Sequence, residues 1–306
     1  MSQFQISVLA SEKFFIVLII KKRFVLMIVY FNGQFMDKDE VRISPDDRGF
    51  IFGDGIYEVI TSYNGKLFKK EGHFNRLLWN LKEVRINLSQ KINLEEIALQ
   101  LLETNNLLNI RAKIYIQITR GVAPRTFSFP SPETRPTVFV QVSEAHPQIK
   151  KWENGVKIIL RPDQRRKRRD IKSISLLPSI LDAQQAIDEN AEEVIFVVDG
   201  FITEGSHTTF CAVFNNEIWT YPTDELILPG ITRIVVKELC KKINIPFIER
   251  NFTPEDLKKA DELMLLGSTT EIMPVIQVEN NLVKNGKPGP VTKKLQTAYR
   301  KMISEL

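Results

Sequence analysis

From Ile28 onward, apolar and polar positions sort the chain into short alternating runs and longer amphipathic ones. IVYFNGQFM (28–36) alternates around Asn32-Gly33, a pair suited to the positive φ angles of a tight hairpin, and predicts strand, turn, strand. DRGFIFGDGIYEVITSYNGKLFK (47–69) has β-branched and aromatic runs punctuated by Gly53 and Gly55, with a second hairpin signal at Asn64-Gly65. EGHFNRLLWNLKEVRI (71–86) sets apolar residues three and four apart, the spacing of one helix face, and LEEIALQLLETNNLL (94–108) does the same. RAKIYIQITRG (111–121) and TVFVQV (137–142) return to alternation and predict strands.

A polar stretch, 143–155, joins this to a second pattern. VKIIL (156–160) predicts a strand, and 175–191 a helix with Pro178 in its first turn, where a missing N–H is tolerated. Residues 193–206 and 210–222 read as strand-turn-strand units. PGITRIVVKELCKKINI (229–245) puts proline and glycine at a helix start, 260–278 ends in strands, and 286–306 closes with a helix. The expected fold is α+β / α/β with two domains: a smaller α+β unit over 27–148 and a larger unit over 149–306. Residues 1–26 are an extension that could be an upstream segment ahead of Met27, an added strand or a tail.

The apolar runs FFIVLII (14–20) and FVLMIVYF (24–31) are divided by KKR (21–23), and neither reaches the ~20 residues that cross a bilayer. Glu12 and Lys13 precede the first run and no small-residue cleavage site follows, so neither a signal peptide nor a membrane partner is expected. At 306 residues and 43% hydrophobic composition, the chain can bury substantial cores. Its net charge of +5, from 42 basic and 37 acidic residues, is too mild to demand an anionic partner. Cys211 and Cys240 lie in apolar surroundings and suit a reducing, cytoplasmic setting. His73, His146 and His207 lack zinc spacing, so no metal is expected.

The densest charge is RRKRR at 165–169, followed by Asp170, Ile171 and Lys172. Such a run can hold nucleic-acid phosphates without reading bases. No second basic tract or binding module accompanies it, so a nucleic-acid partner is not expected. A lysine in this setting is ordinarily a solvated surface group. A desolvated lysine beside cationic groups can instead form a Schiff base with a carbonyl.

Seven segments, in order, resemble the fold-type IV pyridoxal-phosphate enzymes, most closely the D-amino acid (D-alanine) aminotransferases. They are DRGFIFGDGIYEVI (47–60), HFNRLLWNL (73–81), YIQITRGVAPR (115–125), RRDIKSISLLPSILDAQQA (168–186), DGFITEGS (199–206), LILPGITR (226–233) and GSTTEIMPV (267–275). The resemblance implies that Lys172, in D-I-K-S, holds pyridoxal 5′-phosphate as a Schiff base and then moves the proton between Cα and the cofactor C4′. It implies that Glu204, in T-E-G, faces the pyridine nitrogen, and that Arg76, Ile231, Thr232 and Thr269 hold the phosphate in what would be a cofactor-binding larger domain. Free N–H groups at the helix start behind Gly230 would suit a phosphate on physical grounds as well. Tyr57 and Arg125 match substrate-carboxylate groups, and a guanidinium fork fits a planar carboxylate. Arg168 matches an arginine common upstream of the family's lysine.

Two positions depart from the family pattern. Phe127 stands where the D-amino acid enzymes have a histidine, which bears on D-selectivity, substrate range and affinity. His207 stands where serine is frequent, and reads as a loop residue or as an extra donor near the cofactor. The implied reaction is a two-stage transamination of the type D-alanine plus 2-oxoglutarate to pyruvate plus D-glutamate. The implied partners are small amino acids, 2-oxo acids and a second copy in a homodimer. An L-branched-chain or broad-specificity transaminase and an aminodeoxychorismate lyase are the alternatives within the family.

Overall fold

The computed structural model describes residues 27–89 and 91–306, so the expectation for 1–26 lies outside the described residues. The chain opens with a hairpin of β1 (Ile28–Phe31) and β2 (Gln34–Asp37), its turn held by Asn32 and Gly33 at φ 48° and 99°. Next comes α1 (Arg48–Phe52), a short helix not foreseen in the apolar pattern. Local chemistry explains it: the Asp47 carboxylate caps its start by accepting from the Gly49 N–H, and Gly53 ends it in the left-handed conformation. β3 (Gly55–Tyr63) and β4 (Lys66–Leu67) turn at Asn64-Gly65, as predicted. They are followed by α2 (Lys70–Glu83), α3 (Leu94–Thr104), β5 (Ala112–Thr119) and β6 (Thr137–Glu144). The six strands form one sheet in the order β2-β1-β6-β5-β3-β4. Ile114, Ile116 and Ile118, two apart on β5, share the face covered by Leu77 and Leu81 of α2 and Ile97 and Leu101 of α3.

The polar stretch 143–155 is more ordered than a linker. β6 runs into it, and α4 (Ile149–Asn154) buries Trp152, whose indole N–H donates to the Thr270 carbonyl at 2.9 Å. Beyond it lie β7 (Val156–Pro162), α5 (Leu177–Asp188), β8 (Glu193–Val198), β9 (Phe201–Gly205), β10 (Thr209–Phe214), β11 (Glu217–Thr220) and α6 (Ile231–Lys242). β12 (Phe247–Glu249), α7 (Pro254–Leu257), β13 (Glu262–Gly267), β14 (Glu271–Val278), β15 (Asn281–Leu282) and α8 (Pro290–Ser304) complete the chain.

The second sheet runs β12-β11-β10-β13-β14-β7-β8-β9, with β15 on β14. β9 also pairs back to β10 at Glu204–Thr209, so six strands close into a ring. Ile158, Ile195, Ile202, Phe210, Leu265 and Met273, one from each of those strands, cluster inside it. The alternate residues Cys211, Val213, Met264 and Leu266 face outward, under α6 and α8. β10 is therefore buried on both sides, which accounts for its nearly unbroken apolar run. Both cysteines are free and buried, and no helix among the described residues is long and apolar enough to cross a membrane.

Where the two sheets meet, residues 172–174 run along the start of β3. Tyr57 N–H donates to the Lys172 carbonyl at 3.0 Å, Ile174 N–H to the Gly55 carbonyl at 3.1 Å, and Ile56 bridges Ser173.

Leu101 is fully buried in the first core, whereas Leu99 on the same helix is 38% exposed. Leu101→Ala is expected to cost about 2–5 kcal/mol, and Leu99→Ala about 0.5 kcal/mol or less. Urea unfolding of the two variants measures the difference, and equal midpoints would contradict the assigned core.

Candidate active site

A cavity of about 220 Å³ opens where residues 172–174 cross from one sheet to the other. Lys172, Tyr57, Arg76 and Glu204 line it, as do Ile231, Thr232 and Thr269. Arg125 does not: it lies on the exposed loop after β5, its guanidinium 5.4 Å from the centre of the Phe52 ring. Phe127 is beside it, 89% exposed and 5.8 Å from Phe52 between ring centres.

Lys172 is fixed through its backbone. Its N–H donates to Asn80 Oδ1 at 2.9 Å, and its carbonyl accepts from Tyr57. Its Nζ stands 4.2 Å from the centre of the Tyr57 ring. Among the described residues, no carboxylate lies within ion-pair distance of that Nζ. The amine is thus presented to the cavity rather than neutralised by it.

The basic run upstream turns mostly inward. Arg165 contacts Asp163 at 2.8 Å and Glu204 at 2.9 Å, and Arg169 contacts Asp163 at 2.8 Å. Arg166 donates to the carbonyls of Ile171, Arg168 and Ser175. Arg168 pairs with Asp170 and Glu83 at 2.9 and 2.7 Å. Lys167 alone of the five is strongly exposed, 81%, at 3.5 Å from Glu225. The run is a clamp on the lysine's loop.

A second charged cluster lies on the α2 side. Glu58 is fully buried on β3 and accepts from Arg76 at 2.9 and 2.6 Å, with His73 Nδ1 3.0 Å away. Burial pushes the Glu58 pKa up, but the Arg76 charge and the hydrogen bonds from His73 and Arg76 outweigh it and hold the carboxyl far below its usual range. Burial lowers the His73 pKa against the pull of Glu58, favouring a neutral ring. Arg76 Nη1 reaches on to the Pro229 carbonyl at 2.9 Å, tying α2 to the entrance of α6.

Arg76 was expected at the phosphate, but its buried partner Glu58 was not singled out from the sequence and His73 was noted only for lacking zinc spacing, although a signal existed. Ile56, Glu58 and Ile60 share one strand face, and His73, Arg76 and Asn80 share a helix face with Leu77 and Leu81. A polar stripe inside an otherwise apolar stripe marks a buried network.

Glu204 closes the opposite side. Burial raises its pKa to about 7, although the Arg165 charge and the Leu228 N–H, 3.0 Å from Oε2, pull the other way. α6 begins at Gly230 with no side-chain cap, leaving the N–H groups of its first turn directed outward at the cavity's edge. A Cβ on Gly230 would sit 2.6 Å from Thr209 Oγ1, so the close approach requires glycine. Arg111 steadies the facing turn, donating to the Thr269 carbonyl at 3.1 Å and pairing with Glu271 at 3.0 Å.

The cavity thus offers a primary amine, an uncapped helix start beside an arginine for a dianion, and a buried carboxyl able to meet a protonated ring nitrogen. This donor set fits pyridoxal 5′-phosphate.

The amino-transferase class IV family matches residues 55–278, and the chain belongs to that family of pyridoxal-phosphate-dependent aminotransferases. It is 40% identical to a D-alanine aminotransferase of Staphylococcus haemolyticus over 276 residues, 90% of this chain and 97% of that one. A D-alanine aminotransferase of Bacillus licheniformis is 37% identical over 278 residues, covering 90% of this chain and 97% of its own. The fold is shared with the branched-chain amino acid aminotransferase of Escherichia coli, at TM-score 0.84 and 26% identity over 91% of this chain and 95% of that one.

Glu58→Gln leaves Arg76 buried without its counter-charge and is expected to cost about 3–5 kcal/mol. Glu83→Gln, at a half-exposed pair with Arg168, should cost about 1 kcal/mol or less. Chemical denaturation of the cofactor-free protein separates the two. Because the Glu204 pKa is raised from 4.5 to about 7 on folding, its contribution favours the folded state at low pH. That contribution is lost as pH rises through about 7. The cofactor-free protein should therefore lose Tm across this window, and Glu204→Gln should flatten the loss. An unchanged slope in the variant would refute the assignment.

Proposed function

We propose that this chain is a D-amino acid transaminase of the type D-alanine plus 2-oxoglutarate to pyruvate plus D-glutamate. The observation that carries the substrate class is the near full-length 40% identity to a D-alanine aminotransferase. The cavity's donor set supports the chemistry. When bound, pyridoxal 5′-phosphate supplies an electron sink for the bond broken at the substrate Cα.

The residues divide the remaining work. Lys172 Nζ would hold the cofactor covalently, and as a free amine it would accept the proton released at the substrate Cα. Arg76, Thr269 and the Ile231–Thr232 start of α6 hold the phosphate. Glu204, once ionised, would hold the cofactor's pyridine nitrogen in its protonated form. Asn80 and the Arg165–Arg169 clamp hold the lysine's loop while the side chain moves. Tyr57 packs beside Nζ and helps hold the substrate's carboxylate.

We infer a homodimer. Phe50 in α1, and Val122 and Phe127 in the loop carrying Arg125, leave apolar surface exposed. A second copy would cover this surface and bring Arg125 to bear on a substrate carboxylate. The domain division at 148/149 is supported by α4, which packs on β14. The two unpaired thiols suit a cytoplasmic site of action.

The second reading, an L-branched-chain or broad-specificity transaminase, draws on Phe127 and on the shared fold with the Escherichia coli enzyme.

The test is to load the purified protein with pyridoxal phosphate and offer D- and L-alanine, D- and L-glutamate and L-leucine with a 2-oxo acid acceptor. D-alanine with 2-oxoglutarate should yield pyruvate and D-glutamate, and Lys172→Ala should abolish the borohydride-reducible adduct. Transfer from L-leucine alone would sink the D-amino acid reading. Pyruvate release from aminodeoxychorismate without transfer would indicate a lyase.

A further inference from the structure

One face of β3 reaches beyond the cavity it borders. Tyr57 and Val59 line that cavity, and the next residues of the same face, Thr61 and Tyr63, meet the turn between β13 and β14. Thr61 is 1% exposed and donates its hydroxyl to the Ser268 carbonyl at 2.8 Å. Tyr63 donates to Glu271 Oε1 at 2.8 Å. Two other elements hold the same turn. Arg111, just ahead of β5, donates to the Thr269 carbonyl at 3.1 Å, and Trp152 on α4 donates to the Thr270 carbonyl at 2.9 Å.

Three successive carbonyls are therefore taken by three side chains from separate parts of the fold. Ser268, Thr269 and Thr270 line the cavity, whereas Thr61, Arg111 and Trp152 do not, so the carbonyls are drawn away from it. The described peptides are all trans, and in a trans peptide the N–H points opposite to the C=O. Holding the Ser268 and Thr269 carbonyls outward turns the N–H groups of Thr269 and Thr270 toward the cavity. Neither N–H has a hydrogen-bond partner among the described residues. Successive free N–H groups in a turn make a concavity for an anion.

The turn is not one that its own residues favour. Glu271 leaves it at φ 57°, in the left-handed region that side-chain-bearing residues seldom adopt, and Tyr63 and Arg111 hold the Glu271 carboxylate in place. The Arg111 guanidinium also lies 5.6 Å from the centre of the Tyr63 ring and 5.4 Å from that of Trp152. It sits behind the turn, so it acts through the Thr269 carbonyl and not by touching a ligand.

We propose that Thr61, Arg111 and Trp152 are positioning residues for the cofactor's phosphate: by fixing three carbonyls on the far side of the 268–270 turn, they direct the Thr269 and Thr270 N–H groups at the dianion. They thereby set the preference of the site for phosphorylated over unphosphorylated pyridoxal. The proposal rests on pyridoxal 5′-phosphate as the cofactor and not on which amino acid is used.

The test titrates the cofactor-free protein with pyridoxal 5′-phosphate and, separately, with pyridoxal, which has the same ring and aldehyde but no phosphate. The visible absorbance of the adduct with Lys172 reads binding without turnover. Thr61→Val removes the hydroxyl at nearly constant shape and should weaken pyridoxal 5′-phosphate binding by about 3–10-fold, the scale of one hydrogen bond. Arg111→Met should weaken it by about 10-fold or more, since a charged donor is lost. Affinity for pyridoxal should stay as in the wild type in both variants, and Thr61→Ser, which keeps the hydroxyl, should bind both aldehydes as the wild type does. Wild-type affinity for pyridoxal 5′-phosphate in Thr61→Val and Arg111→Met would overturn the proposal. So would an equal loss for the two aldehydes, which would make these residues a general tie between the sheets. No amino acid enters the measurement, so a failure of the D-amino acid reading would leave its result standing.

Discussion

Asp163 is the fixed point of the molecule's chemistry. Its side chain is fully buried between Arg165 and Arg169, each 2.8 Å away, and Arg165 continues to Glu204. Burying charge in this way costs several kcal/mol per ion unless each is paired, so the cluster tolerates few alternative arrangements of the loop it anchors. That loop ends in Lys172. One set of contacts thereby sets the backbone of the lysine on one side of the cavity and the orientation of the Glu204 carboxyl on the other. The Glu58–Arg76–His73 cluster does the same across the cavity, joining β3, α2 and the start of α6. The site is a cleft held open by two buried charge clusters, with the two sheets as their supports.

Much of this was legible in the chain. Asn-Gly pairs marked two hairpins, three- and four-residue spacing marked α2, α3 and α6, and Pro178 falls in the first turn of α5 as its chemistry allows. The D-I-K-S, T-E-G and P-G-I-T-R segments converge on one cavity, although they belong to separate elements. Short-range signals failed where a long-range contact decides the outcome. α1 depends on a cap from Asp47 and a stop at Gly53, too brief for any period to show. The stretch 143–155 looked like a linker because its polar composition hides one buried tryptophan bonded to Thr270.

The basic run illustrates the same limit in electrostatics. Five consecutive cations suggest a solvated or polyanion-facing surface, because composition cannot show where the counter-charges lie. Those counter-charges come from distant positions, Glu83 on α2 and Glu204 on β9, as well as from the neighbouring Asp163 and Asp170. Arg125 is the converse case. Its motif was legible, but its side chain belongs to an exposed loop outside the cavity.

The closed ring of strands also orders events during synthesis. β7 is flanked by β8, made soon after it, and by β14, whose Val275 pairs in parallel with Val156. Until the ribosome has delivered the residues of β14, one edge of β7 exposes unpaired N–H and C=O groups, and the apolar interior of the ring faces water. Long-range parallel pairing of this kind is slow to form and leaves an aggregation-prone edge meanwhile. A nascent chain halted between α5 and β14 would therefore contain every residue of the lysine loop and still have an open ring beside it.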